Sequence, residues 1–226
     1  MVKRQSTFVD AGAVLSATLT YPVPVAAQSL LLCAVRVSST SPPTSVTDSL
    51  GQTFTQDATI GQTTDSHNVT LFSLANTLAG TDTVTVTLAS SVSLRIVILE
   101  YAGMALSAVL DGTTGAQGDA VTSIPTGNIA TTQADELLIC LFGNSAPASI
   151  LADAAFTQEE VVVPGANAGR FMVSDELVHN VGVYHATTTQ NVVGNCSTLL
   201  ASYRGLVTIS NVLTGWGSKV VGYYES

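Results

Sequence analysis

Charge is what this chain has least of: 10% of its residues are Asp, Glu, Lys or Arg, against about 25% in ordinary globular domains. Lysine is almost missing, with only Lys3 and Lys219. Nucleic-acid backbones are gripped by clustered Lys and Arg, and Lys3-Arg4 is the only such neighbour pair, so no nucleic-acid partner is expected. Long apolar runs are missing too. The best candidate, Leu94 to Leu110, is interrupted by Arg95, Glu100 and Gly103, far short of the roughly 18 apolar residues a membrane helix needs. No membrane partner is expected. The three cysteines, Cys33, Cys140 and Cys196, show no C-x-x-C spacing and no histidine pair at zinc spacing. Cys33 and Cys140 sit in Leu-Leu-Cys-Ala-Val and Leu-Ile-Cys-Leu-Phe and read as small buried hydrophobes, with an inter-strand disulfide as the alternative. Behind Met-Val-Lys-Arg-Gln-Ser there is no apolar stretch of a secretory signal, so the sequons at Asn68 and Asn195 carry no weight.

What is present is alternation. Thr81-Asp-Thr-Val-Thr-Val-Thr-Leu88 alternates Thr with apolar residues, the pattern of a half-buried strand. Leu94 to Tyr101 is nearly all apolar and β-branched, as a strand covered on both faces would be. Further strands are expected at Leu30 to Val37, Glu136 to Phe142, Glu159 to Val163, Val181 to Tyr184 and Leu206 to Val212. Turn clusters such as Ser41-Pro42-Pro43, Asp111-Gly112, Pro164-Gly165 and Gly215-Trp216-Gly217 separate them. A single helical turn or two is expected near Cys196 to Tyr203.

The chain also repeats itself. Ala27-Gln-Ser-Leu-Leu-Leu-Cys33 returns as Ala134-Asp-Glu-Leu-Leu-Ile-Cys140, and Phe54-Thr-Gln-Asp57 as Phe156-Thr-Gln-Glu159. His67-Asn-Val69 returns as His179-Asn-Val181, and Leu88-Ala-Ser90 as Leu200-Ala-Ser202. The period is too long for a solenoid repeat and fits two copies of one antiparallel unit. The join, Thr126 to Gln133, has no Pro-rich or extended polar linker. The expected fold is therefore all-β: an antiparallel β-sandwich of jelly-roll type in one domain, 1–226, with half-repeats of about 8–110 and 111–226. Two tandem small sandwiches are the alternative.

Candidate chemistry is thin. No G-x-S-x-G elbow accompanies His67, His179 or His185, and structural or surface roles are expected for them. A glycosidase would need two carboxylates on one cleft; Glu100 is the best single candidate, with Glu159 and Glu160 next, and a strand-end Glu bonded to backbone or Arg is the expected fate. Asp111-Gly-Thr-Thr-Gly-Ala-Gln-Gly-Asp119 resembles a calcium loop only loosely, lacking the regular acidic spacing and the closing Glu. Its glycines, Gly112, Gly115 and Gly118, lack the strand-to-helix setting of a phosphate loop. Aromatics are 6% of the chain and Trp216 is the only tryptophan; it reads as a plug of the sandwich end before a sugar platform. No catalytic, cofactor-binding or metal residue is assigned, and no cofactor is expected.

The run Ser45-Val-Thr-Asp-Ser-Leu-Gly-Gln-Thr-Phe-Thr55, with Gly80-Thr-Asp-Thr-Val-Thr-Val-Thr87, Val97-Ile-Leu-Glu-Tyr-Ala-Gly103 and Leu110-Asp-Gly112, resembles a family of phage-encoded jelly-roll proteins. These are strand and turn signatures covering most of residues 25–190. The resemblance implies a virion accessory protein of the capsid-decoration, head-fibre or tail-appendage type, with no catalytic residue to carry over. The sparse charge and the net charge of −9 fit that expectation: a homo-oligomer, a trimer by analogy, made in the host cytoplasm and placed on the outer surface of a capsid or tail. A lectin-like or adhesin module that binds glycan is the alternative.

Overall fold

The computed structural model describes residues 1–163 and 169–207. Fourteen strands follow one another: β1 (Val2–Thr20), β2 (Leu30–Val37), β3 (Ser45–Thr47), β4 (Thr55–Gln62), β5 (His67–Leu74), β6 (Thr83–Ala102), β7 (Leu110–Pro125), β8 (Ile129–Ala130), β9 (Glu136–Asn144), β10 (Ile150–Leu151), β11 (Thr157–Val162), β12 (Phe171–Val178), β13 (Val183–Tyr184) and β14 (Thr187–Arg204). Among the described residues there is no helix. The fold is all-β, an antiparallel sandwich of two similar halves, as the alternation and the repeats indicate.

The duplication is visible in the ladders. The N-terminal sheet runs β1-β6-β2-β5-β4 with β3 on β6; the C-terminal sheet carries β7, β14, β9, β12 and β11 in the corresponding order, with β10 on β14. Cys33 pairs with Ile98 across β2 and β6, and Cys140 with Leu200 across β9 and β14. The two cysteines therefore hold one register position. The irregularity between Gln56 and Ala58 on β4 recurs between Gln158 and Glu160 on β11, which places Asp57 and Glu159 in equivalent bulges.

Two of the four sequence blocks do not superpose. His67 opens β5, whereas His179 lies just past the end of β12. Ladder positions on these strands differ by 102 residues, so the counterpart of His67 is Gly169. By the same offset Leu200 corresponds to Ile98, not to Leu88.

Apolar residues on alternate positions of β2 face opposite ways, and both sides are covered. Leu30, Leu32 and Ala34 join Leu137, Ile139 and Leu141 of β9 in a core between the two sheets. Leu31, Cys33, Val35 and Val37 pack on the other side with Val46, Val84, Val86 and Leu88. That second layer arises because β6 folds over its own sheet: between Val14 and Ser16 of β1 the partner on β6 jumps from Val92 to Thr87. The same jump occurs on β14, between Thr189 and Gly194. Leu94 to Leu99 is accordingly buried throughout, as its composition predicts.

The helical turn expected at Cys196 to Tyr203 is instead the second part of β14. Leu199, Ala201 and Tyr203 enter the inter-sheet core while Leu200 enters the outer one, and burial on both faces overrides the helix-forming Leu-Leu-Ala. Residues 111–119, the calcium-like stretch, are not a loop but part of β7, laddered to β14. The expected strand at Val181 to Tyr184 shrinks to Val183–Tyr184. Leu206 and Val207 are not in a strand, and Thr208 to Val212, Pro164-Gly165, Trp216 and Lys219 lie outside the described residues.

Candidate functional site

Glu100 follows the apolar run of β6 and points away from the inter-sheet core, opposite Gln5 on β1. It is fully buried and fully engaged. Oε1 accepts from the Ala26 amide at 2.9 Å and Ser29 Oγ at 2.8 Å and forms an ion pair with Arg4, whose Nε is 3.0 Å away; Oε2 accepts from Gln5 Nε2 at 2.5 Å. Glu159 pairs with Lys3, and Glu160 accepts from Ser6 Oγ at 2.7 Å. Lys3 and Ser6 stand opposite Tyr101 and Leu99, whose side chains face the inter-sheet core. Glu100 is thus on the other face of its sheet from Glu159 and Glu160, and the three carboxylates share no cleft.

A second acidic corner, which sequence reading missed, closes the C-terminal half. Asp111 pairs with Arg204 and accepts from the Thr132 amide at 2.7 Å and Thr132 Oγ1 at 2.6 Å. Glu136 Oε1 accepts from the amides of Thr132 and Gln133, each at 3.2 Å, while its Oε2 is buried without a partner among the described residues. Burial, with Asp111 beside it, pushes the Glu136 carboxyl up to about 7 against the pull of those amides. Asp111 moves the other way: burial raises it, but the Thr132 hydrogen bonds and Arg204 bring it below the usual range. Nothing in the sequence pattern marks Glu136, because Asp111 and its ladder partner Arg204 are remote in the chain, though Thr132 and Gln133 are close.

Two tyrosines tie the halves together. Tyr101 donates to Asp175 Oδ2 at 2.8 Å, and Tyr203 to Asp57 Oδ2 at 2.6 Å. Tyr101 and Tyr203 occupy equivalent register positions, opposite Leu30 and Leu137. Burial raises the pKa of both carboxyls above the ordinary Asp value.

A basic cluster lies at the far end of the inter-sheet space. Arg36 on β2 and Arg95 on β6 are direct cross-strand partners, and each is 3% exposed. Arg36 Nη2 donates to Asn144 O at 2.6 Å. His67 places Nδ1 2.7 Å from Asp65 Oδ1 and Nε2 3.2 Å from Gly143 O; burial and Arg36 push its pKa down to about 4 against Asp65. His179 pairs at the surface with Asp135 at 2.6 Å, and His185 is exposed.

Cys33, Cys140 and Cys196 are free and buried, and burial pushes the Cys140 and Cys196 thiols up to about 11. Asp119 accepts from Gln62 Nε2 at 2.9 Å and Thr64 Oγ1 at 2.7 Å, far along β7 from Asp111. Among the described residues no group of three His, Cys, Asp or Glu is gathered as metal ligands.

The geometry defines a class, an antiparallel sandwich of two duplicated halves in which Glu100, Glu136, Arg36 and His67 are held in buried polar clusters. No protein-family model matches the chain, and no curated protein matches it significantly.

Proposed function

We propose that this chain is a non-enzymatic structural protein of a phage virion, working as a homo-oligomer, a trimer, on the outer surface of a capsid or tail. One observation carries the reading. Among the described residues, edge strand β1 ladders only with β6 and exposes Val2, Phe8 and Leu15, with Lys3 its only lysine and that one held by Glu159. Proteins that stay monomeric guard such edges with free lysines, prolines or short strands. A 19-residue edge with exposed apolar side chains is instead suited to cover by a neighbouring subunit. The few charges elsewhere support assembly as the working role.

Light scattering on the purified chain tests self-assembly. The expected result is a species about three times the 23.2 kDa chain mass, reduced to monomer by Phe8→Lys with Leu15→Lys. A monodisperse monomer at micromolar concentration would overturn the oligomer. Co-sedimentation with phage particles tests the virion role, and a glycan-array signal without particle binding would replace it by a lectin.

A further inference from the structure

Arg36 and Arg95 present an unusual combination: two guanidinium groups on adjacent strands, same face, both buried, with N–H groups left unpartnered among the described residues. Like charges directly opposite in a ladder destabilise it, and a buried charge needs a partner. Arg36 Nη1 donates to Ser38 Oγ at 3.3 Å and Nη2 to Asn144 O, but its Nε has no partner among the described residues. On Arg95 both Nε and Nη1 are likewise without one. The described carboxylate beside Arg95 is Asp10, 3.6 Å from Nε, beyond hydrogen-bond reach and partly in solvent. Arg170, on the loop before β12, adds its positive charge toward Arg95. Asp65 is near Arg36 and meets His67 through Oδ1, while its Oδ2 is buried without a partner among the described residues.

We infer that Arg36 and Arg95 form a binding site for one small oxyanion of the phosphate or sulfate class. Such an anion offers oxygens to the three unpartnered N–H groups at once, as guanidinium forks favour. It also separates the two facing charges. Entry is from the side of Asp10, whose long ion pair with Arg95 the anion displaces. The far wall is closed by the C-terminal half: a Cβ on Gly143 would lie 3.3 Å from Arg36 Cδ, so the missing side chain there leaves Arg36 its place. Burial, together with repulsion by Arg95, lowers the Arg36 pKa to about 9, the direction expected of a cation lacking its counter-ion.

The test is titration of the whole chain with inorganic phosphate at constant ionic strength, reading the arginine Nε–H signals by nuclear magnetic resonance. The expected result is a saturable shift at Arg36 and Arg95 that is missing at Arg4 and Arg204 and is not produced by chloride. Asp10→Asn, at the solvent-facing rim, removes the competing carboxylate and should tighten binding about threefold, while Arg95→Gln should weaken it about tenfold. Should Arg95→Gln not fold, Asp10→Asn alone decides. No saturable shift at Arg36 and Arg95, shifts of similar size at all the arginines, or weaker binding in Asp10→Asn would each overturn the site.

Discussion

Where the first strand of each half meets its last, the N-terminal half sets Arg4 of β1 against Glu100 of β6, and the C-terminal half sets Asp111 of β7 against Arg204 of β14. Arg4 and Asp111 both fall in a ladder irregularity, between Lys3 and Gln5 in one case and between Leu110 and Gly112 in the other. The bulge was kept while the ion pair reversed its polarity and moved two residues along the last strand. The lesson is that duplication here preserved what backbone geometry demands and left the charges free to change, provided each found a partner. Arg36 and Arg95 show the cost of incomplete exchange. Their register counterparts are Gly143 and Ser197, which carry no charge, so the basic pair belongs to one half and leans into space left by the other.

The cores differ as well. Outside the inter-sheet layer, the N-terminal half has one continuous cluster that includes Ile96 and Ile98; the C-terminal half has two smaller ones, around Leu200 and around Phe142. Ile98→Ala should therefore cost about 2–5 kcal/mol, with Ile96→Ala in the same range, and the counterpart Leu200→Ala about 2 kcal/mol, since a smaller cluster relaxes more readily around the cavity. Urea denaturation measures both through the midpoint at constant slope. A larger loss at Leu200 than at Ile98 would break the comparison.

The tyrosine ties sharpen it. Tyr101→Phe leaves Asp175 buried without its hydroxyl donor, whereas after Tyr203→Phe the Asp57 carboxyl keeps Ser73 Oγ at 2.9 Å. The expected losses are about 2 kcal/mol for Tyr101→Phe and about 1 kcal/mol for Tyr203→Phe. Equal losses would mean that Ser73 contributes nothing to holding Asp57.

How far the sequence could be read follows the same division between geometry and charge. β2, β9 and the second part of β6 announce themselves, because burial on both faces demands unbroken apolar runs. β1 and β7 do not: their bulges shift the alternation at each break, and their Gly, Ala, Ser and Thr residues are poor strand signals. The repeats anchored on Cys33 and Phe54 survive because Cys33 sits on an apolar ladder position and Phe54 is a buried side chain just before β4, as Phe156 is before β11. The histidine match fails because His67 and His179 stand at opposite ends of equivalent strands, one in a buried cluster and one at the surface. The acidic corner at Glu136 and the basic pair at Arg36 depend on residues about 60 to 100 positions apart, and no local pattern encodes such meetings.

An effect of similar size, visible only at high pH, concerns that acidic corner. A carboxyl whose folded pKa is about 7, against roughly 4.3 in the unfolded chain, binds more protons folded than unfolded between those values. Its contribution to stability is complete below about pH 4.3, declines as the pH rises through the window, and is lost above about 7. Asp57 and Asp175, also raised, slope the same way at lower pH. His67, pushed down to about 4, slopes oppositely between about 4 and 6.5, so the Glu136 part is read as the difference between parent and variant. Glu136→Gln keeps the shape and cannot ionise. At pH 8 it should be more stable than the parent by about 1–2 kcal/mol, and at pH 4 the two should agree. Urea midpoints at both pH values measure this, and the N-terminal counterpart Ser29, which donates to Glu100, has no titrating side chain to imitate it. If parent and variant show the same change between pH 4 and pH 8, Glu136 is already ionised in the folded chain and Arg204 serves both carboxylates at once.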